Sequence, residues 1–138
     1  MRALILALVL ALGGCAEKTG AITPEQQQRL DAEGVVRRAD DQTFRYTHGS
    51  GTRDAGWEER RASIIVTRQS VIIHKNEKLG LEINPRTRRV VEVRRDGNRV
   101  RISAGSGQSS ESWSFAPPDD AAGWAEDIRG VVKLGKEK

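Results

Sequence analysis

The sequence predicts a mainly β protein: a small antiparallel seven-stranded barrel or sandwich, capped by a C-terminal α-helix and preceded by a short N-terminal helix. Three observations carry this. From about Gln42, apolar residues recur at every second position in short runs divided by Gly, Pro, Asn and Asp, the pattern of half-buried strands. Helix start signals occur on either side of that region, at Thr23 and at Asp119. A chain of 138 residues with 37% hydrophobic residues, 30% charged residues and four Pro suits one globular domain. It does not suit a collagen, a coiled coil or a multi-span membrane protein. One Cys and two His exclude a disulfide framework and a Cys/His zinc cage within one chain.

The chain opens on Arg2 and the apolar run Ala3–Leu12. About ten residues of helix cover about 15 Å, half of a bilayer core, which is too short to span. A cation, a short apolar core and small residues before a cut site are the order of a secretory signal peptide. The tetrad Leu12-Gly13-Gly14-Cys15 resembles the bacterial lipobox. That resemblance implies that Cys15 becomes the lipidated first residue of the mature protein and attaches it to a membrane. Ala16, rather than an acidic residue, follows the Cys, so the resemblance further implies the inner leaflet of the outer membrane, facing the periplasm. The alternative is an ordinary signal peptide followed by a free Cys, which would itself need explaining. The division expected is a signal peptide over 1–14, an anchor, tether and short helix over 15–41, a β domain over 42–133 and a tail over 134–138.

Glu17–Ala21 reads as a polar tether. Thr23 is a helix N-cap, Pro24 takes the first helical position, and Gln26 closes a capping box three residues on. Gly34 is the expected stop. Polar apart from Leu30 and a few alanines, this helix is expected to pack weakly or serve as a stalk.

Phe44, Tyr46 and His48 then alternate along a first strand, and Gly49–Gly56 forms a loop. In Trp57–Thr67, Ala62, Ile64 and Val66 share a face. Ser70–His74 is a short β-branched strand, and Leu79, Leu81 and Ile83 alternate before Asn84-Pro85 breaks the run. Asp96-Gly97 suits a two-residue type I′ turn. That turn pairs Arg94 with Arg99, Val93 with Val100, Glu92 with Arg101 and Val91 with Ile102, placing all four apolar residues on one face. Ala104–Ser110 reads as a loop, and Glu111–Phe115 as a last strand with Trp113 and Phe115 inward. After Pro117-Pro118, Asp119 caps a helix with Ala121, Trp124, Ile128 and Val131 at helical spacing.

Seven strands closed by one Trp-bearing helix resemble the pleckstrin-homology-like fold over about residues 42–133. The stretches that carry the resemblance are Trp57–Thr67, similar to that family's second strand, and Trp113-Ser114-Phe115 with Trp124, similar to its last strand and capping helix. A lipocalin-like or other small barrel is the rival. In family members that bind phosphoinositides, cations of the first hairpin loop and second strand grip the headgroup. The matching positions here are Arg53, Arg60 and Arg61. Asp54, Glu58 and Glu59 stand among them and largely cancel the local field.

The basic hairpin Arg86–Arg101 is the stronger electrostatic feature, with Arg86, Arg88, Arg89, Arg94, Arg95, Arg99 and Arg101 against Glu92 and Asp96. Opposed arginines cost about 0.2–1 kcal/mol, which an anionic partner could offset; solvated arginines that discourage edge pairing are the plainer alternative. The expected function is a non-enzymatic, membrane-anchored binding module with no cofactor. It docks an envelope protein or an anionic lipid through Arg89, Arg94, Arg99 and Arg101, with Arg53, Arg60 and Trp57 as a second surface. Exposed at the loop mouth, Trp57 is a candidate interface anchor; otherwise it belongs to the core with Trp113 and Trp124. Nucleic acid is not expected, because aromatic interleaving is absent. His48 reads as a rim residue and His74 as a solvated strand end, neither bracketed by metal-ligand spacing. The glycine pairs at Gly49/Gly51 and Gly105/Gly107 lack the Lys-Ser/Thr of a phosphate loop, and no Gly-x-Ser-x-Gly context surrounds the serines. The alternatives left open are an envelope enzyme, a small-ligand carrier and a passive envelope component.

Overall fold

The structure is a computed structural model and describes residues 22–50, 57–75, 78–106 and 109–136. The lipobox residues Leu12, Gly13 and Gly14, with Cys15 and Arg53, lie outside the described residues. Helix α1 (Pro24–Glu33) starts as its sequence dictates: Thr23 Oγ1 accepts from the Gln26 amide and Gln26 Oε1 accepts from the Thr23 amide. Gly34 ends it at φ +85°, a conformation that costs glycine nothing.

Seven antiparallel strands follow: β1 (Val35–Ser50), β2 (Trp57–Thr67), β3 (Val71–Lys75), β4 (Lys78–Ile83), β5 (Val90–Asp96), β6 (Arg99–Ser106) and β7 (Ser109–Phe115). Helix α2 (Ala121–Lys136) closes the chain. The strands form one curled half-barrel sheet in the order β4-β3-β2-β1-β7-β6-β5. The mainly β class, the seven antiparallel strands and both helices are as the sequence indicates. The expected loop at Ala104–Ser110 is instead largely strand, since β6 and β7 run into it from both sides.

The first strand begins at Val35 rather than near Gln42. Its early half was obscured by a break in alternation: the register with β2 shifts between Ala39 and Gln42, and Asp41 sits at φ +53°. Asp enters this left-handed region more readily than most side chains. The Arg61 guanidinium donates to both Asp41 carboxylate oxygens, at 2.9 and 2.8 Å.

Two further registers differ from expectation. The β5–β6 loop is Gly97-Asn98, so Arg94 faces Arg101 and Val93 faces Ile102. Positive φ falls on Gly97 alone, at +61°, the pattern of a type II′ turn with Gly at its first central position. Because both partners shift in step, the apolar face survives the correction. In β4, a bulge opposite Ile73 and His74 turns Leu79 away from the face of Leu81 and Ile83. Leu79 is exposed while the other two are buried. The bulge falls at Gly80, where a Cβ would stand 3.1 Å from the Trp113 ring and 3.2 Å from Ile73 O. A side chain there would require the Trp113 ring or the Ile73 carbonyl to give way by a few tenths of an ångström, which glycine avoids.

The concave face holds the main core. Phe44 lies 5.7 Å from Trp113 and 5.0 Å from Phe115, and Phe115 meets Trp124 of α2 edge-on at 5.5 Å. Trp124, Ala125, Ile128 and Val131 are the buried stripe of α2. Its N-cap is Asp120 rather than Asp119: Asp120 Oδ1 accepts from the Gly123 amide, and Arg37 of β1 donates to Asp120 Oδ2. Both contacts hold the Asp120 carboxyl below the usual carboxylate range, the Gly123 amide most. On the convex face, α1 covers a second, smaller cluster of Leu30, Ile65 and Ile72. That face of β2 and β3 is apolar for this reason, and Trp57–Thr67 therefore ends in an unbroken buried run rather than in alternation.

Candidate functional site

The convex face of β5, β6, β7 and β1 carries polar side chains. Its register sets out one row directly: Arg94 faces Arg101, Arg101 faces Ser114, Ser114 faces Arg45, and Arg45 faces Glu59 of β2. A second row runs Glu92, Ser103, Ser112, Thr47 and Trp57. Strand alternation places these residues outward, because Phe44, Trp113 and Ile102 between them face the core.

The arginines are braced by hydroxyls. Arg99 donates to Ser114 Oγ at 3.2 Å and to Ser114 O at 3.1 Å, and Arg101 donates to Ser112 Oγ at 2.7 Å. Arg45 stacks on the exposed Trp57 ring, with its Cζ 5.2 Å from the centroid. Arg94 pairs with Glu92 at 2.6 Å. Among the described residues, Arg45, Arg99 and Arg101 make no ion pair within 4 Å. Partial burial, and then the adjacent charge of Arg45, press the Arg99 guanidinium below its ordinary value. Arg45 and Arg99 also line a shallow depression of about 360 Å³, bordered by Asp41 and Glu59. Those two carboxylates set the acidic margin of the face.

The sequence-predicted residues divide between the two sides of the sheet. Arg94, Arg99 and Arg101 come together on the convex side. Arg60 points to the concave side, where its guanidinium lies 3.8 Å from the Tyr46 ring centroid and pairs with Glu58. Arg89 is bound at the same mouth, donating to Ala104 O at 2.9 Å and pairing with Glu111 at 3.3 Å. Arg60 and Arg89 therefore do not extend the surface of Arg94, Arg99 and Arg101. Trp57 is 59% exposed and joins the convex face rather than the core. His48 is exposed, as a rim position requires. His74 is not solvated: it is 1% exposed beneath α1, with Nε2 3.1 Å from Gln26 Nε2. The arrival of α1 on this side of the sheet is what buries it.

Arg45 is the member that sequence reasoning missed. Alternation with Phe44 and Tyr46 already turned it outward, but its neighbours belong to β7 and β6, far along the chain. Among the described residues, no group of three or more His, Cys, Asp or Glu could hold a metal ion, and no helix is long and apolar enough to cross a membrane. Comparisons of the sequence with protein-family models and with curated proteins found no match.

Proposed function

We propose that this chain is a lipid-anchored envelope protein, attached through Cys15, and that its β domain is a non-enzymatic docking module. It takes an anionic partner on the convex face of Arg45, Arg94, Arg99 and Arg101. The observation that carries the proposal is the convergence of Arg45 of β1 with Arg99 and Arg101 of β6 onto one face, across β7, with no carboxylate between them. Arg94 and Arg101, directly opposed on β5 and β6, add a like-charge cost of about 0.2–1 kcal/mol, and a bound anion removes that cost. The lipobox tetrad supports the anchor. The strand order and the Trp124 cap support the pleckstrin-homology-like assignment, and the periplasmic, outer-membrane placement follows from Ala16.

The test uses residues 16–138, which contain every described element and so the whole core. Binding of fluorescent polyglutamate and polyphosphate is measured by anisotropy at low and physiological salt. Salt-sensitive binding is expected. Replacing Arg45, Arg99 and Arg101 with Glu should weaken it at least about tenfold, or about 1.4 kcal/mol. Replacing Arg86 and Arg88, exposed on the β4–β5 link, should not. Equal binding by the triple variant would overturn the docking face.

A further inference from the structure

Resting on that docking face, we infer that the anion it takes is lipid phosphate, on the surface of the bilayer to which the chain is anchored, and that Trp57 enters the interface beside it. The donor set favours phosphate. Ser114 accepts from Arg99, which leaves its partly exposed hydroxyl its own proton to donate, while the buried Ser112, bonded to Arg101 and Ser103, holds Arg101 in place. Guanidinium forks interleaved with hydroxyls match an oxyanion with several acceptor oxygens.

The form of the face favours a surface over a groove. Four neighbouring strands present it, each about 4.8 Å from the next, so Arg101 and Arg45, two strands apart, stand about 10 Å from each other at the backbone. Phosphates spread over a bilayer can meet such charges separately. A protein partner is ordinarily gripped by a side chain set into a desolvated pocket, whereas the depression beside Arg45 is shallow and is bordered by Asp41 and Glu59.

Trp57 supplies the apolar element. Trp57 is 59% exposed on the same face as the arginines, and its ring is held by Arg45. Amphipathic indole rings concentrate at headgroup depth. Chain length closes the argument: from Cys15 to Ile22, the first described residue, the backbone reaches at most about 25 Å however it runs. A domain held that near its own bilayer meets lipid phosphate at high effective concentration.

The test is co-sedimentation of residues 16–138 with phosphatidylcholine vesicles, with and without phosphatidylglycerol, across a salt series, together with tryptophan emission. Trp113 and Trp124 are each 2% exposed, so a change in emission on binding reports Trp57. Binding to the anionic vesicles alone is expected, weakening with salt and accompanied by a blue shift. Each arginine near an anionic surface is worth about fivefold in partitioning. Arg45→Gln with Arg99→Gln and Arg101→Gln should therefore lower it about a hundredfold, and Trp57→Ala should abolish the shift. No binding at low salt, undiminished binding by the triple variant, or binding without a shift would overturn the inference. If vesicles fail while polyglutamate still binds through the three arginines, the docking face stands and its occupant is an acidic protein. If neither binds, the docking face falls too.

Discussion

Leu30→Ala should release α1 while leaving the sheet folded. Leu30 is 2% exposed and shares its cluster with Ile65 and Ile72, with Ile22 packed alongside. None of these residues belongs to the core between the sheet and α2. The remaining ties of α1 are polar: Gln26 to His74, Arg38 donating to Gln27 at 3.1 Å, Arg29 to Glu82, and Ser70 Oγ donating to Glu33 at 2.5 Å. Removing a buried leucine side chain costs about 2–5 kcal/mol, and least where the site can collapse. Here one wall is a surface helix free to settle, and a cavity of about 70 Å³ already adjoins Leu30, so about 2–3 kcal/mol is expected. A helix of 10 residues has no independent stability in water, so this loss falls on its docking. Native-state hydrogen exchange reads the effect directly. Amides of α1 should exchange about 30- to 150-fold faster, while those of β6 and β7 keep their protection. Equal loss in β6 and β7 would show that α1 belongs to the same cooperative unit as the main core. Unchanged exchange in α1 would show that Leu30 does not fasten it. Either result refutes the reasoning.

The glycines of α2 should respond oppositely to alanine. Gly130 is exposed and a Cβ there meets nothing within 4 Å, so Gly130→Ala should stabilise by about 0.5–1 kcal/mol in urea unfolding. At Gly123 a Cβ would land on the Asp120 carboxylate and the Arg37 guanidinium, so Gly123→Ala should destabilise despite the better helix former. The Asp120 carboxyl is held below its ordinary value, chiefly by the Gly123 amide and then by Arg37. Its contribution is therefore present above the unfolded-state pKa and lost as pH falls through the lower, folded one. Asp120→Asn should lower the urea midpoint at neutral pH and flatten its decline on acidification. A decline as steep as in the parent chain would assign the acid sensitivity to other carboxylates.

The parts of the fold legible in the sequence were those fixed by neighbours along the chain. The capping box at Thr23, the stop at Gly34 and the α2 stripe each need only a few consecutive residues. So does the inward face of Val91, Val93, Val100 and Ile102, which tolerated an error in the turn because the register moved in step. What escaped depended on distant partners. The first half of β1 was hidden by the bulge at Asp41, the outward turn of Leu79 by the bulge at Gly80, and the burial of His74 by α1 lying on that face. The candidate site divides in the same way. Arg94, Arg99 and Arg101 belong to a hairpin whose pattern shows without a structure. Adding Arg45, and setting aside Arg60 and Arg89, required knowing that β1 lies beside β7 and which side of the sheet each cation occupies.

That adjacency also governs the order in which the molecule can be completed. β1 is joined to β2 along nearly its whole length, but to β7 only from Arg45 paired with Ser114 to Ser50 paired with Ser109. Ribosomes make β1 first among the strands, yet its second edge has no partner until almost the entire chain exists. Until then Phe44 lacks Trp113, Phe115 and the α2 helix, and the unpaired backbone of β1 is open to any other strand. Closure across so long a loop is entropically slow. A chain cut between Ile83 and Ser109 therefore keeps the four-stranded curl of β1–β4, with Phe44 uncovered and a free edge on β1. Such a fragment should aggregate rather than persist as a smaller domain.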